Sequence, residues 1–169
     1  MSSPHKRRII GIDPGLASTG WGIVDFVDGK IRYIDHGSIG TEAGRPRAER
    51  LFFILREFRQ ILDNYKPTEA AIETLYFGRN VTSAIPVAEA RGVVSAALAE
   101  RGLPISEFTP NAIKKGVTGV SRADKTQVQE MVRIILGIEK IPRPDHAADA
   151  LAAAICAATF LLANPQKDV

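Results

Sequence analysis

Thr19 to Val27 and Lys30 to Ile39 are two strand-length runs joined by Asp28-Gly29, and this join constrains the fold more than any other segment. Asp-Gly supplies the positive-φ positions of a tight turn, so the two runs pair as an antiparallel hairpin. Just upstream, Arg8-Ile9-Ile10-Gly11-Ile12-Asp13 is a short apolar run that stops at an acid before Pro14-Gly15, as a strand ending in a turn does. Connections this short make the three strands antiparallel neighbours.

From Arg47 to Tyr65 the period changes. Leu51, Ile54, Leu55, Phe58, Ile61 and Leu62 recur at helical spacing with charges between them, and Pro67 stops the pattern. Ala70-Ala71-Ile72-Glu73 is a brief strand that again ends in an acid. A second helix is expected from Ser83 to Arg101, closed by Gly102, and a fifth strand from Ile105 to Phe108. A Gly- and Lys-bearing stretch over 114–125 then leads to a helix from Lys125 to Leu136. Pro142 and Pro144 introduce the last helix, about Asp145 to Leu162. Strands linked through helices imply right-handed parallel crossovers after the antiparallel opening. The expected fold class is α/β, a mixed five-stranded sheet with helices on both faces. A chain of 169 residues suits one domain over 1–169, with flexible ends at 1–7 and 164–169.

Composition narrows the class. Apolar residues at 45% and charged residues at 24% fit a globular chain rather than a disordered one. The longest apolar run, Ala150 to Ala163, falls short of the roughly 18 residues of a membrane span and reads as a buried helix, so no membrane partner is expected. Cys156 is the only cysteine, which excludes an intramolecular disulfide and a cysteine zinc cluster. Lys6-Arg7-Arg8 precedes too few apolar residues for a signal peptide, so the expected location is cytoplasmic. A sequence pI of about 9.2 is compatible with a polyanionic partner.

The acids matter by position. Asp13 ends the first strand and Glu73 the fourth, both in apolar runs where an unpaired carboxylate is costly. Asp145-His146-Ala147-Ala148-Asp149 heads the last helix, where His146 and Asp149 share a face. Singly, each has a plain reading. Asp13 suits a turn, Glu73 a surface strand end, Asp145 a helix N-cap and His146 a helix start. Asp149, one turn inside an alanine-rich helix, points either to solvent or into a packed site. If the first and fourth strands are adjacent, Asp13 and Glu73 come together and the last helix can bring His146 and Asp149 alongside. Such a cluster calls for cations. Oxygen-rich ligands suit Mg²⁺ or Mn²⁺, the imidazole favouring Mn²⁺, and a metal pair is a device for phosphodiester hydrolysis.

These residues resemble the RuvC family of junction-resolving nucleases over nearly the whole chain, Ile9 to about Leu161. The resemblance rests on Gly11-Ile-Asp-Pro-Gly-Leu-Ala-Ser-Thr-Gly-Trp-Gly22, Ala71-Ile-Glu73 with Tyr76-Phe77, Ala88-Glu-Ala-Arg-Gly92, and Asp145-His-Ala-Ala-Asp-Ala-Leu151. It implies a ribonuclease H-like fold, a two-fold homodimer, Mg²⁺-dependent cutting of four-way DNA junctions, and cooperation with RuvA–RuvB. It places Asp13, Glu73 and Asp149 on the family's catalytic acids. His146 falls on the remaining catalytic position, an acid in many relatives. A histidine there leaves fold and activity as expected but metal preference and pH response open, because imidazole binds metal only when neutral. Asp145 is the alternative ligand, off the family spacing.

Residues 110–144 hold seven basic side chains against three acidic ones, a surplus of four. Alone this reads as a solvated face; beside a phosphodiester-cutting centre it reads as a phosphate track through Lys114, Lys115, Arg122 and Lys125. The resemblance favours Lys114 and Lys125. Tyr76 and Phe77 suit either a core or base stacking at the exchange point, with Arg79 following in a polar loop. The helix over Ile85 to Leu98 is more apolar than one sheet face requires, and can pack on itself across a two-fold axis. Three other readings compete. One is a different ribonuclease H-like nuclease, another an actin-like ATPase half-domain opening on the same strand-turn-hairpin. The third, a non-catalytic nucleic-acid-binding module, leaves the acids unexplained.

Overall fold

Asp28 and Gly29 hold φ of 50° and 75° and close the expected hairpin in the computed structural model, which describes residues 6–75 and 81–164. The elements run β1 (Arg7–Asp13), β2 (Ser18–Val27), β3 (Lys30–Gly40), α1 (Arg47–Tyr65), β4 (Glu69–Glu73), α2 (Val81–Glu100) and β5 (Ile105–Phe108). Three helices follow: α3 (Pro110–Thr118), α4 (Lys125–Leu136) and α5 (Asp145–Ala163). The sheet order is β3-β2-β1-β4-β5. β1 is antiparallel to β2 and parallel to β4, and β4 is parallel to β5, so the sheet is mixed as expected.

Strand alternation sorts the side chains between two cores. Ile10, Ile12, Ala70 and Ile72 point to one face, where they pack with Ile54, Phe58 and Leu62 of α1 and Val94 and Leu98 of α2. Ile9, Val24 and Ala71 point to the other, against Ile113 and Val117 of α3, Val128 and Val132 of α4, and Leu151 to Ala158 of α5. Helices therefore cover both faces. The apolar run expected to be a buried helix is α5, in which every residue from Ala147 to Ala158 except Asp149 is buried.

Three differences have physical causes. Residues 110–118 fold as α3, where the sequence reading places no element. Thr109 caps it by accepting from the Ala112 amide, Pro110 occupies its first turn, and Gly119 ends it with φ of 79°. Nine residues with one buried apolar pair, Ile113 and Val117, are too few for periodicity to announce. Gly116 reads as a breaker but fits a contact, since a Cβ there would stand 2.9 Å from the Cys156 sulfur. Second, Asp145 is not the N-cap of α5. Pro144 holds that position and makes no side-chain cap, while the Asp145 carboxylate turns to Lys125 and Arg143. Third, Lys6 and Arg7, expected within a flexible end, have defined partners. Arg7 opens β1 and pairs with Glu69 at 2.7 Å, and Lys6 reaches Asp25 at 2.8 Å. The remaining terminal residues expected to be flexible, 1–5 and 165–169, lie outside the described residues.

Candidate active site

Asp13 and Glu73 meet because two parallel strands end in step. Ile9, Ile10, Gly11 and Ile12 pair with Glu69, Ala70, Ala71 and Ile72, so each acid is the next residue on neighbouring strands. By alternation Asp13 lies on the face of Ile9 and Gly11, and Glu73 on that of Ala71. That is the face covered by α5.

Missing side chains let α5 come close enough to join them. A Cβ on Gly11 would stand 1.8 Å from the Ala150 carbonyl oxygen, and one on Gly20 would stand 2.0 Å from that of His146. A Cβ on Gly22 would meet the Leu151 side chain at 2.6 Å. These three glycines of β1 and β2 form a trough in which the start of α5 rests directly on strand backbone.

The first turn of α5 therefore delivers its polar groups beside Asp13. His146 Nδ1 lies 2.7 Å from Asp13 Oδ2. With Nδ1–H donating to the carboxylate, Nε2 is left as an acceptor or metal ligand. Asp13, His146 and Asp149 each offer a ligand atom, and these atoms all lie within 4.8 Å of one another. Glu73 lies outside that tight group, at the exposed end of β4, but feels the charges of Asp13 and Asp149. Asp145 is also outside it.

The carboxyls are held in a state that resists ionisation. Burial pushes the Asp13 pKa up, against the opposing pull of His146 and Lys125. Burial raises Asp149, reinforced by the Asp13 charge and opposed by Lys125 and His146. Crowding by protein atoms also raises Glu73, with Asp13 and Asp149 adding to the effect and Lys114 opposing it. Mutually repelling acids gathered at one spot make this group a candidate cation site.

Two of the four basic candidates border these acids. Lys125 Nζ is 3.2 Å from Asp145 and 3.6 Å from Asp149, and Lys114 on α3 is close enough to Glu73 to oppose the rise in its pKa. Lys115 and Arg122 are exposed, on α3 and on the turn before α4. Arg133 and Arg143 are paired with Glu130 and Asp145. Tyr76, Phe77 and Arg79 lie outside the described residues.

Sequence reasoning missed Arg91. From α2 its Nη1 donates to the Glu73 backbone carbonyl at 2.5 Å, while Nη2 pairs with Glu107 at 2.8 Å. The end of β4 is thus pinned to α2. The available signal was one arginine among small apolar residues, since a charge in such a setting needs a partner.

A family model described as crossover junction endodeoxyribonuclease RuvC matches residues 9–157. The chain belongs to the RuvC family. These proteins are crossover junction endodeoxyribonucleases, enzymes that hydrolyse DNA. The RuvC of Treponema denticola is 56% identical over 147 residues, covering 87% of this chain and 83% of that one. The RuvC structure from Thermus thermophilus superposes with a TM-score of 0.83 at 33% identity, over 92% of this chain and 96% of that chain. The same protein in complex with a Holliday junction substrate gives 0.85 at 34% identity, over 91% and 94%. The yeast mitochondrial resolvase Ydc2 shares the fold, with a TM-score of 0.62 at 14% identity.

Proposed function

We propose that this protein resolves four-way (Holliday) DNA junctions by paired, divalent-metal-dependent nicks, as a two-fold homodimer acting in the cytoplasm with the RuvA–RuvB branch-migration machine. The observation that supports this best is the convergence of Asp13 with His146 and Asp149, more than 130 residues further along the chain, to within 4.8 Å beside Glu73. The junction-bound relative from Thermus thermophilus supports the choice of substrate.

In this reading Asp13, Glu73, His146 and Asp149 hold Mg²⁺ or Mn²⁺, two ions per site. The cations supply positive charge for the phosphodiester and acidify the attacking water. His146 takes its orientation from Asp13, as ligating imidazoles commonly do from a carboxylate. Lys114 and Lys125 flank the acids and steady the scissile strand, with Lys115 and Arg122 extending the track. Tyr76, Phe77 and Arg79, which follow Glu73 in the sequence, are assigned to the strand-exchange point. The dimer is assigned to α2, an apolar helix whose Ile85, Gly92, Ala96 and Ala99 are exposed at spacings that share one face.

The test is incubation of labelled four-way junction and linear duplex with the protein, with and without Mg²⁺ or Mn²⁺. Symmetric nicks in the junction alone, dependent on metal, are expected. Equal cutting of duplex would point to a general nuclease, and binding without cutting to a passive module. The track has its own test. Replacing Lys114 and Lys125 together by alanine should weaken junction binding and lower the slope of log affinity against log salt by about 2, close to one per lost phosphate contact. An unchanged slope would remove both lysines from the track.

A further inference from the structure

Asp145 is the one acid of the Asp145–Asp149 segment that the metal cluster leaves out, and both of its oxygens are taken. Arg143 donates to Oδ1, and Lys125 lies 3.2 Å from Oδ2. Lys125 is shared, since its ammonium also stands 3.6 Å from Asp149 Oδ2. A single cation on α4 thus spans two carboxylates of α5, one inside the candidate metal group and one outside it.

We propose that Asp145 is a positioning residue for Lys125, a post that keeps this lysine at the rim of the site when a cation claims Asp149. The inference rests on the metal reading of Asp13, His146 and Asp149. A divalent cation at Asp149 repels an ammonium a few ångströms away, so Lys125 must give up that contact. With Asp145 beside it, Lys125 keeps a carboxylate partner and moves little. Without Asp145, Asp149 becomes its main partner, and each cation that enters must displace it. Arg143 neutralises Asp145 from the other side, so the direct pull of Asp145 on a cation bound at Asp149 is small. Burial disfavours the charge on Lys125, but the two aspartates outweigh that and hold its pKa up, in keeping with a lysine charged in both positions.

The experiment is a double-mutant cycle read as Mn²⁺ affinity of the DNA-free protein, by calorimetry or by electron paramagnetic resonance of free Mn²⁺. Asp145→Ala should weaken Mn²⁺ binding about threefold to fivefold, the scale of one partly exposed ion pair. Lys125→Ala should tighten it by a similar factor, because the competitor is gone. In the Lys125→Ala background, Asp145→Ala should change affinity by less than about twofold. A change of about twofold or more there would mean that Asp145 acts on the cation directly, as ligand or by its field, and would overturn the proposal. So would an Asp145→Ala protein that binds Mn²⁺ as the parent does. A merely structural role would lower thermal stability without the dependence on Lys125. If the parent bound no Mn²⁺, or bound it indifferently to Asp149→Asn, the metal reading would fall and this inference with it. Additivity in a protein that does bind Mn²⁺ overturns the inference alone.

Discussion

Asp149→Asn is expected to lower junction cutting by about 10³-fold, the scale of removing a principal electrostatic group from a hydrolytic site, while junction binding in Ca²⁺ survives. The change removes one negative charge and almost no volume from a residue half-exposed on the first turns of α5, so the fold should persist. Stability should move in the opposite direction to activity. A carboxyl whose folded-state pKa lies above its unfolded value adds stability only below the unfolded pKa, and that contribution is lost as pH rises through the folded value. Burial and the Asp13 charge place Asp149 in that class. At neutral pH without metal it is ionised against its surroundings, so the asparagine variant should melt higher than the parent in EDTA. Mn²⁺ should raise the melting temperature of the parent and have much less effect on the variant, by linkage to native-state binding. The measurements are single-turnover cleavage of a labelled junction and paired melts with and without Mn²⁺. Cutting at near-parental rate would remove Asp149 from the site.

The second large effect is on folding. Gly11→Ala should destabilise the protein by about 3 kcal/mol or more, at the upper end of overpacking costs. At about 2–4 °C per kcal/mol for a chain of this size, the melting temperature falls by about 10 °C. The reason is the identity of the clashing atom. A methyl on Gly11 would lie 1.8 Å from the Ala150 carbonyl oxygen and 2.8 Å from the Ala154 nitrogen, both backbone. No rotamer change can relieve this; α5 itself must lift off β1. Gly20→Ala acts at the same seam nearer the site, 2.0 Å from the His146 carbonyl oxygen, and should cost activity as well by shifting His146 and Asp149 from Asp13. Gly44→Ala is the control, since nothing lies within 4 Å of its added carbon and its melt should match the parent. A Gly11→Ala protein as stable as Gly44→Ala would mean that the seam tolerates separation.

The parts of the fold that were legible in advance are those set by local chemistry. Asp28-Gly29 demanded positive φ whatever surrounded it, and the Leu51-to-Leu62 spacing has a helical face in any context. α3 was hidden because nine residues with one buried pair give no period, and Gly116 looks like a breaker until Cys156 is seen against it. Asp145 misled for a related reason. Aspartate after proline favours an N-cap by propensity, but in the folded chain Lys125 and Arg143 compete for its carboxylate and win.

The sequence by itself determined which residues could take part: acids at the ends of two apolar runs, a histidine and an aspartate three apart on a helix, and lysines clustered before it. Tertiary structure decided which of them meet. Bringing Asp13 to Glu73 needs β1 beside β4, and bringing it to His146 and Asp149 needs a helix lying on bare glycine backbone; both are contacts between segments more than fifty residues apart. It also separated Asp145 from the cluster and tied Glu73 to Arg91. Residue types and local periods are written along the chain. Distances between remote segments arise only when the two cores on either side of the sheet pack, because that packing alone sets how closely α5 approaches β1.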